Sequence, residues 1–313
     1  MKMAHAVLMG LAAVLTAGAA HAAQLSGDAK ASIPKDIQQV IVVDYRSMQA
    51  SPAAMNLKQR IMPPELVRLE TALKTSGLKV DRDTETLAFA AFRVGGSTRT
   101  LGVAQGQFNT TAIQANWTKQ KTKPTPIRTY NVYPMGASGM SVVFLNQTTM
   151  IFGDSAAVKM GLDCRDGLSP NILENSDMMN EMAAVDQRAI WSLLDQKGTQ
   201  TMMKSVLGDA SSLTDYDTVK NRMKSSRYTM DFSNGIKFDM AVVMGDTMTA
   251  ATAATLMKGM ALLKQSQGSS MEKAAMKDTS IDSNSGTLQV SYAANDSQFS
   301  ELLSSPLFQQ VVR

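Results

Sequence analysis

The chain has almost no histidine, a single cysteine and few aromatic rings. Of its 313 residues two are histidine, His5 and His21, and both fall in an N-terminal leader. Imidazole is the side chain that most often moves protons near neutral pH, and it is the commonest transition-metal ligand. Its loss with the leader argues against Ser-His-Asp hydrolases and ordinary zinc sites. Cys164 stands alone between Asp163 and Arg165, so no internal disulfide forms, and it reads as a half-buried small residue at a helix end. Trp117 and Trp191 are the two tryptophans, and each falls on an apolar face rather than on a sugar-binding platform. Dinucleotide and Walker glycine loops are missing as well.

Long apolar runs are also absent beyond the leader. The uncharged stretch Thr129–Gly153 is interrupted by Pro134, Gly136, Gly139, Asn146 and Gln147, so it reads as two strands and a turn and not as a membrane span. The leader itself has a positive start at Lys2, an apolar stretch from Ala6 to Ala19, and small residues at Ala20 and Ala22 around His21. That is the pattern of a secretory signal peptide, residues 1–22, cut after Ala22. No cysteine follows the cut to carry a lipid. The expected location is the bacterial periplasm or the medium.

With 31 basic and 27 acidic residues in all, the net charge is +4, and about +3 once Lys2 has gone. The local basic run Lys119, Lys121, Lys123 and Arg128 has no interleaved aromatics, so it reads as a solvated loop and no nucleic-acid partner is expected. Methionine is abundant, 24 in all, which points to a core of flexible side chains.

Periodicity divides the chain into two similar halves, residues 23–170 and 171–313. The first opens with the strand Gln38–Tyr45. Ser51-Pro52 starts a helix that Pro63-Pro64 breaks, and a second helix carries Leu66, Leu69 and Leu73 as far as Gly77. Two strands then flank Gly95-Gly96, a hairpin signal. Asn109 caps a helix with Ile113 and Trp117. The stretches TPIRTYNVYP and MSVVFLNQTTMIFG read as one strand each, and Asp154 caps a helix. Near the junction at residue 170, Ser176 is expected to cap a helix. The second half repeats the order: a strand at Arg188–Asp195, a helical region, and a hairpin around Asn234-Gly235. A long helix behind Asp246 follows, then a polar linker, a strand, and a helix opened by Asn295-Asp296 and ended by Pro306. The expected fold is α+β: two antiparallel-sheet halves of split β-α-β, ferredoxin-like type, each with helices on one face, produced by internal duplication. The long helix, with its stripe of Leu256, Met260 and Leu263, is expected to pack on its own sheet or to serve as a homo-oligomer face.

Catalytic candidates are sparse. Asp44, ending the first strand, is the best-placed acid, and Asp81, Asp83 and Glu85 cluster after it; a carboxylate-dependent hydrolase would use such a pair. Ser32–Lys35 and Ser270–Lys273 have S-x-x-K spacing without its partner motifs. Asp282–Gly286 and Asp81–Glu85 resemble calcium loops but lack the required register and read as turns. Thioether clusters that would suit Cu(I) are Met178, Met179 and Met182; Met202 and Met203; Met257 and Met260; and Met271 and Met276. The reading preferred from sequence assigns no catalytic residue, metal or cofactor. It expects a binding or scaffolding protein whose unknown partner, a protein or a small molecule, sits in a groove between the halves or on a Met-rich surface.

Overall fold

A computed structural model describes residues 23–207, 216–233 and 235–303. The leader, Asn234 of the second hairpin, the Met271 side chain and Pro306 lie outside the described residues. The first half begins with α1 (Gly27–Ala31), capped by Ser26, and β1 (Ile37–Asp44). Asp44 caps α2 (Tyr45–Gln49), Ser51 caps α3 (Pro52–Ile61), and Pro63-Pro64 ends it and starts α4 (Pro64–Thr75). A short α5 (Val80–Asp83) leads into β2 (Thr84–Val94) and β3 (Ser97–Gly106), with Gly95 and Gly96 both at positive φ in the turn. Asn109 caps α6 (Thr110–Lys119). Next come β4 (Thr125–Ile127), β5 (Tyr130–Pro134), β6 (Ser141–Phe144), β7 (Thr149–Gly153) and α7 (Ser155–Arg165) behind its cap Asp154.

The second half contains α8 (Ser176–Ala183), β8 (Ile190–Leu194), α9 (Gln196–Leu207), α10 (Tyr216–Arg222), β9 (Met223–Asp231) and β10 (Ile236–Met244). It ends with α11 (Thr247–Gln267) behind Asp246, α12 (Ser270–Lys277), β11 (Thr279–Asn284), β12 (Thr287–Ala294) and α13 (Asp296–Leu303).

All the strands among the described residues join one large antiparallel sheet, in the order β11-β12-β10-β9-β8-β1-β2-β3-β7-β6-β5-β4. The halves meet where β1 pairs with β8, Val40 opposite Leu193 and Val42 opposite Trp191. Register sorts the side chains onto two faces. On the first face Val40, Val42, Ala88, Ala90, Val103, Ile151, Trp191 and Leu193 pack under α1, α7 and α8. On the second face Ala104, Met150 and Phe152 pack under α4 and α6, with Leu69, Leu73, Ile113 and Trp117. Farther along, Met240, Val242, Met244, Leu288 and Val290 pack under α9, α10 and α11. The first face of the second half carries Thr229, Asp239, Gln289 and Ser291, all exposed or half-exposed.

The structure corrects several expectations. Helices cover both faces of the first half rather than one, because β2 and β7 are apolar on both sides and each side needs a cover. TPIRTYNVYP is a hairpin and not one strand: Arg128, at φ 52°, reverses the chain between β4 and β5. MSVVFLNQTTMIFG is likewise β6 and β7, turned where the Asn146 side-chain Oδ1 accepts from Thr148 N at 2.8 Å and from Thr148 Oγ1 at 2.9 Å. Asn175, not Ser176, caps α8, accepting from Met178 N. The polar linker after α11 holds α12 and the edge strand β11. The buried stripe of α11 is Ala250, Ala253, Ala254 and Met257; of the expected stripe Leu256 and Met260 pack partly buried against the same core, whereas Leu263 is 50% exposed. Small residues let the start of α11 lie close to the sheet.

Candidate binding site at the seam

The acids singled out from sequence each have a structural partner. Asp44 is buried; its Oδ1 accepts from Ser47 N at 2.9 Å and its Oδ2 from Ser47 Oγ at 2.5 Å, which spends the carboxylate on the free N–H groups of α2. Asp81 accepts from Tyr45 Oη at 2.7 Å, Asp83 from Lys79 N and Arg82 Nε, and Glu85 from Arg46. The structure therefore does not bring these four together. Ser32 is buried and donates to Asp28 O at 2.8 Å. Lys273 is exposed on α12. Of Asp282–Gly286, read as a turn, Asp282–Asn284 ends strand β11 and only Ser285 and Gly286, both at positive φ, turn the chain into β12.

The remaining candidates are core residues. Trp117 donates to Ser76 Oγ at 2.5 Å and lies 4.3 Å from the Tyr133 ring centre, and Trp191 donates to Ala23 O at 2.9 Å. Met178 and Met182 are buried on the first face with Met179 packed against them, and Met203 and Met257 belong to the core of the second half. Met178, Met179 and Met182 thus belong to one core and Met202, Met203, Met257 and Met260 to another. Among the described residues no three His, Cys, Asp or Glu side chains gather to hold a metal ion. Cys164 is fully buried rather than half-buried; burial pushes its thiol pKa up to about 11, and it leans on Pro170 O.

Two ionic clusters were not foreseen. Tyr45 accepts from Lys58 Nζ at 2.7 Å as it donates to Asp81, while Glu70 binds Lys58 at 3.3 Å and Lys74 at 2.7 Å. Burial, then the bond to Asp81, holds the Tyr45 phenol far above its usual range. The cluster ties α2, α3, α4 and α5 together. Arg128, from the expected solvated loop, instead bridges Asp163 at 2.8 Å and Asp166 at 2.5 Å and pins the β4–β5 hairpin to α7.

What no residue type announced is the seam on the second face. There α9 lies against β9 and touches β8 and β1, and α2 lies against β2 and the end of β1; between these contacts the floor is only half-buried. By register, Leu87, Val43, Ile190 and Met230 form one row across these strands, and Phe89, Ile41, Ser192 and Tyr228 the next. Leu87, Phe89, Ile41, Val43, Tyr228 and Met230 are only half-buried, although they sit at mid-sheet. One end is bridged by α3, whose Ala53 and Leu57 meet Ile236 and Phe299 of the other half. The other end holds Arg93, closed bidentately by Asp195 at 2.7 and 3.3 Å. Between them Gln39 Nε2 donates to Ser192 Oγ and to Tyr228 Oη, each at 3.2 Å. Tyr228 is deeply set, and desolvation raises its pKa, yet it keeps some exposure, as expected of a residue on the floor of a trough. A separate open cleft of about 670 Å³, lined by Lys237, Asp278, Asn295 and Asp296 among others, is shallow and of mixed charge.

No helix among the described residues is long and apolar enough to cross a membrane. No protein-family model matches the chain, and no curated protein matches it. Solved structures do resemble it. Crystal form III of TP0453 aligns with a TM-score of 0.51 at 8% identity over 88% of this chain and 97% of that one. Crystal form I gives 0.48 at 6% identity over 88% and 96%. At such identities the likeness to form III is one of fold alone.

Proposed function

We propose that this chain is an exported, non-catalytic binding or scaffolding protein of the bacterial cell envelope that holds its partner in the seam between the halves. The observation that carries this reading is the trough floor. Antiparallel sheets ordinarily bury an apolar mid-sheet face completely or make it polar. Here Ile41, Val43, Leu87, Phe89 and Met230 stay part-open, with a few polar groups, Gln39, Ser192 and the Tyr228 hydroxyl, among them. Binding sites are typically apolar concavities with a few placed polar groups. The leader, residues 1–22, supports export.

The division into repeats, 23–170 and 171–313, belongs to the same proposal. The run β1-β2-β3-β7-β6 going one way from the seam has its counterpart in β8-β9-β10-β12-β11 going the other. In each half a strand-helix-strand step is split by a third strand: β7 lies between β3 and β6, and β12 between β10 and β11. This supports duplication of a split β-α-β unit related to the ferredoxin type. A difference between the halves is α7, which packs on the first face, whereas Phe299 of α13 packs on the second.

The test uses mature protein from Ala23 and an apolar alkyl dye whose fluorescence rises out of water. Saturable binding that is lost in the double variant Ile41→Asp, Phe89→Asp, with the circular dichroism of the variant unchanged, is expected. A wild type that leaves the dye in water, or a folded variant that binds it equally, overturns the reading.

A further inference from the structure

We infer that the seam receives an apolar peptide segment of a partner protein held through its backbone, with the Gln39 amide bonding a peptide group; this rests on the binding reading above. Both amide hydrogens of Gln39 are engaged by Ser192 and Tyr228, and among the described residues its Oε1 takes no donor and is not shut away as a buried unpaired atom. In this orientation the amide oxygen, an acceptor, meets whatever covers the floor.

That end discriminates between occupants. A plain hydrocarbon chain would shut it away from water with nothing to bond, which is unfavourable. A peptide group carries an N–H that satisfies Oε1 while its apolar side chains meet Ile41, Val43, Phe89 and Met230. An anionic head group has no receptor at the guanidinium end of the trough, because Arg93 is already paired with Asp195 on two hydrogen bonds. From Gln39 to Val43 the floor has the length of roughly five extended residues.

Three probes separate the cases: a short leucine-alanine peptide with terminal lysines, its N-methylated counterpart, and the alkyl dye. The expected result is that the peptide binds and displaces the dye. The N-methylated form should bind about tenfold weaker, the scale of one lost hydrogen bond. Gln39→Leu should abolish that difference, and Tyr228→Phe, which keeps the ring, should reduce it. If Gln39→Leu fails to fold, the comparison of the two peptides on wild type still decides. Dye binding with no peptide binding, or with equal affinity for both peptides, overturns this inference and leaves the binding reading intact. Binding of neither dye nor peptide overturns both.

Discussion

At the scale of single residues, the acidic side chains of this protein work as caps and pins. Asp44 illustrates the first role. Its carboxylate satisfies Ser47 N at the start of α2 and lies buried at the strand-to-helix corner. Asp44→Ala is expected to cost about 1–2 kcal/mol in urea denaturation, and Asp44→Asn much less, because the amide oxygen still caps. Asp163 illustrates the second. Burial alone would raise its pKa, but hydrogen bonds from Lys159 and Arg128 outweigh burial and hold the carboxyl below its ordinary range. A depressed carboxylate contributes stability above its unfolded pKa of about 3.9, and this is lost as pH falls through the lower folded value. Asp163→Asn should therefore lower stability at neutral pH and flatten the acid limb of the stability-pH curve. An unchanged acid limb would show that Asp163 carries none of this linkage.

At the scale of elements, the hairpins and the helix–strand corners decide the packing. Gly106, at the end of β3, approaches the chain between α5 and β2 so closely that an added Cβ would stand 1.9 Å from Asp83 O. That oxygen is held by Gln107 N at 2.8 Å and belongs to backbone, so it has little room to yield. Gly106→Ala should destabilise by about 1–3 kcal/mol, whereas Gly27→Ala, where the same position is open, should stay within about 0.5 kcal/mol; thermal melts of the two variants compare them directly. The helix caps and tight turns were largely legible in the sequence. Ser51-Pro52, Asn109, Asp154, Asp246 and Gly95-Gly96 act within a few residues of themselves, so their chemistry is local. Strand β11 was not legible. Its sequence, TSIDSN, has one large apolar residue, Ile281, because an edge strand can be held by backbone pairing to β12 and contact on one face with α11. The Arg128 turn was missed for a related reason: a non-glycine residue at positive φ is stabilised by distant Asp163 and Asp166, which local spacing does not reveal.

At the scale of the molecule, the β1–β8 pairing makes the two halves continuous. Five residue pairs join these strands, and α3 adds Ala53 and Leu57 to a cluster with Ile236 and Phe299 across the seam. Neither seam strand would be covered on both edges if the halves were apart. Unfolding is therefore expected to be one cooperative transition. Trp117 reports the second-face core of the first half and Trp191 the seam. Variants retaining one tryptophan each, made by Trp191→Phe and Trp117→Phe, should show coincident urea midpoints once corrected for their own stability. Separate transitions would mean that the halves fold independently.

By itself, the amino-acid order determined the elements that short-range chemistry can specify: capped helices, glycine turns, buried tryptophans and a methionine-filled interior. Tertiary structure decided how the strands line up, which faces receive helices, and where those helices stop short. Ile41, Phe89 and Tyr228 look in sequence like ordinary strand residues. Their partial exposure at the centre of the sheet arises because residues far apart in the chain set the register of β1 against β8 and where α9 and α2 touch it, and such non-local geometry leaves no periodic trace in any one segment.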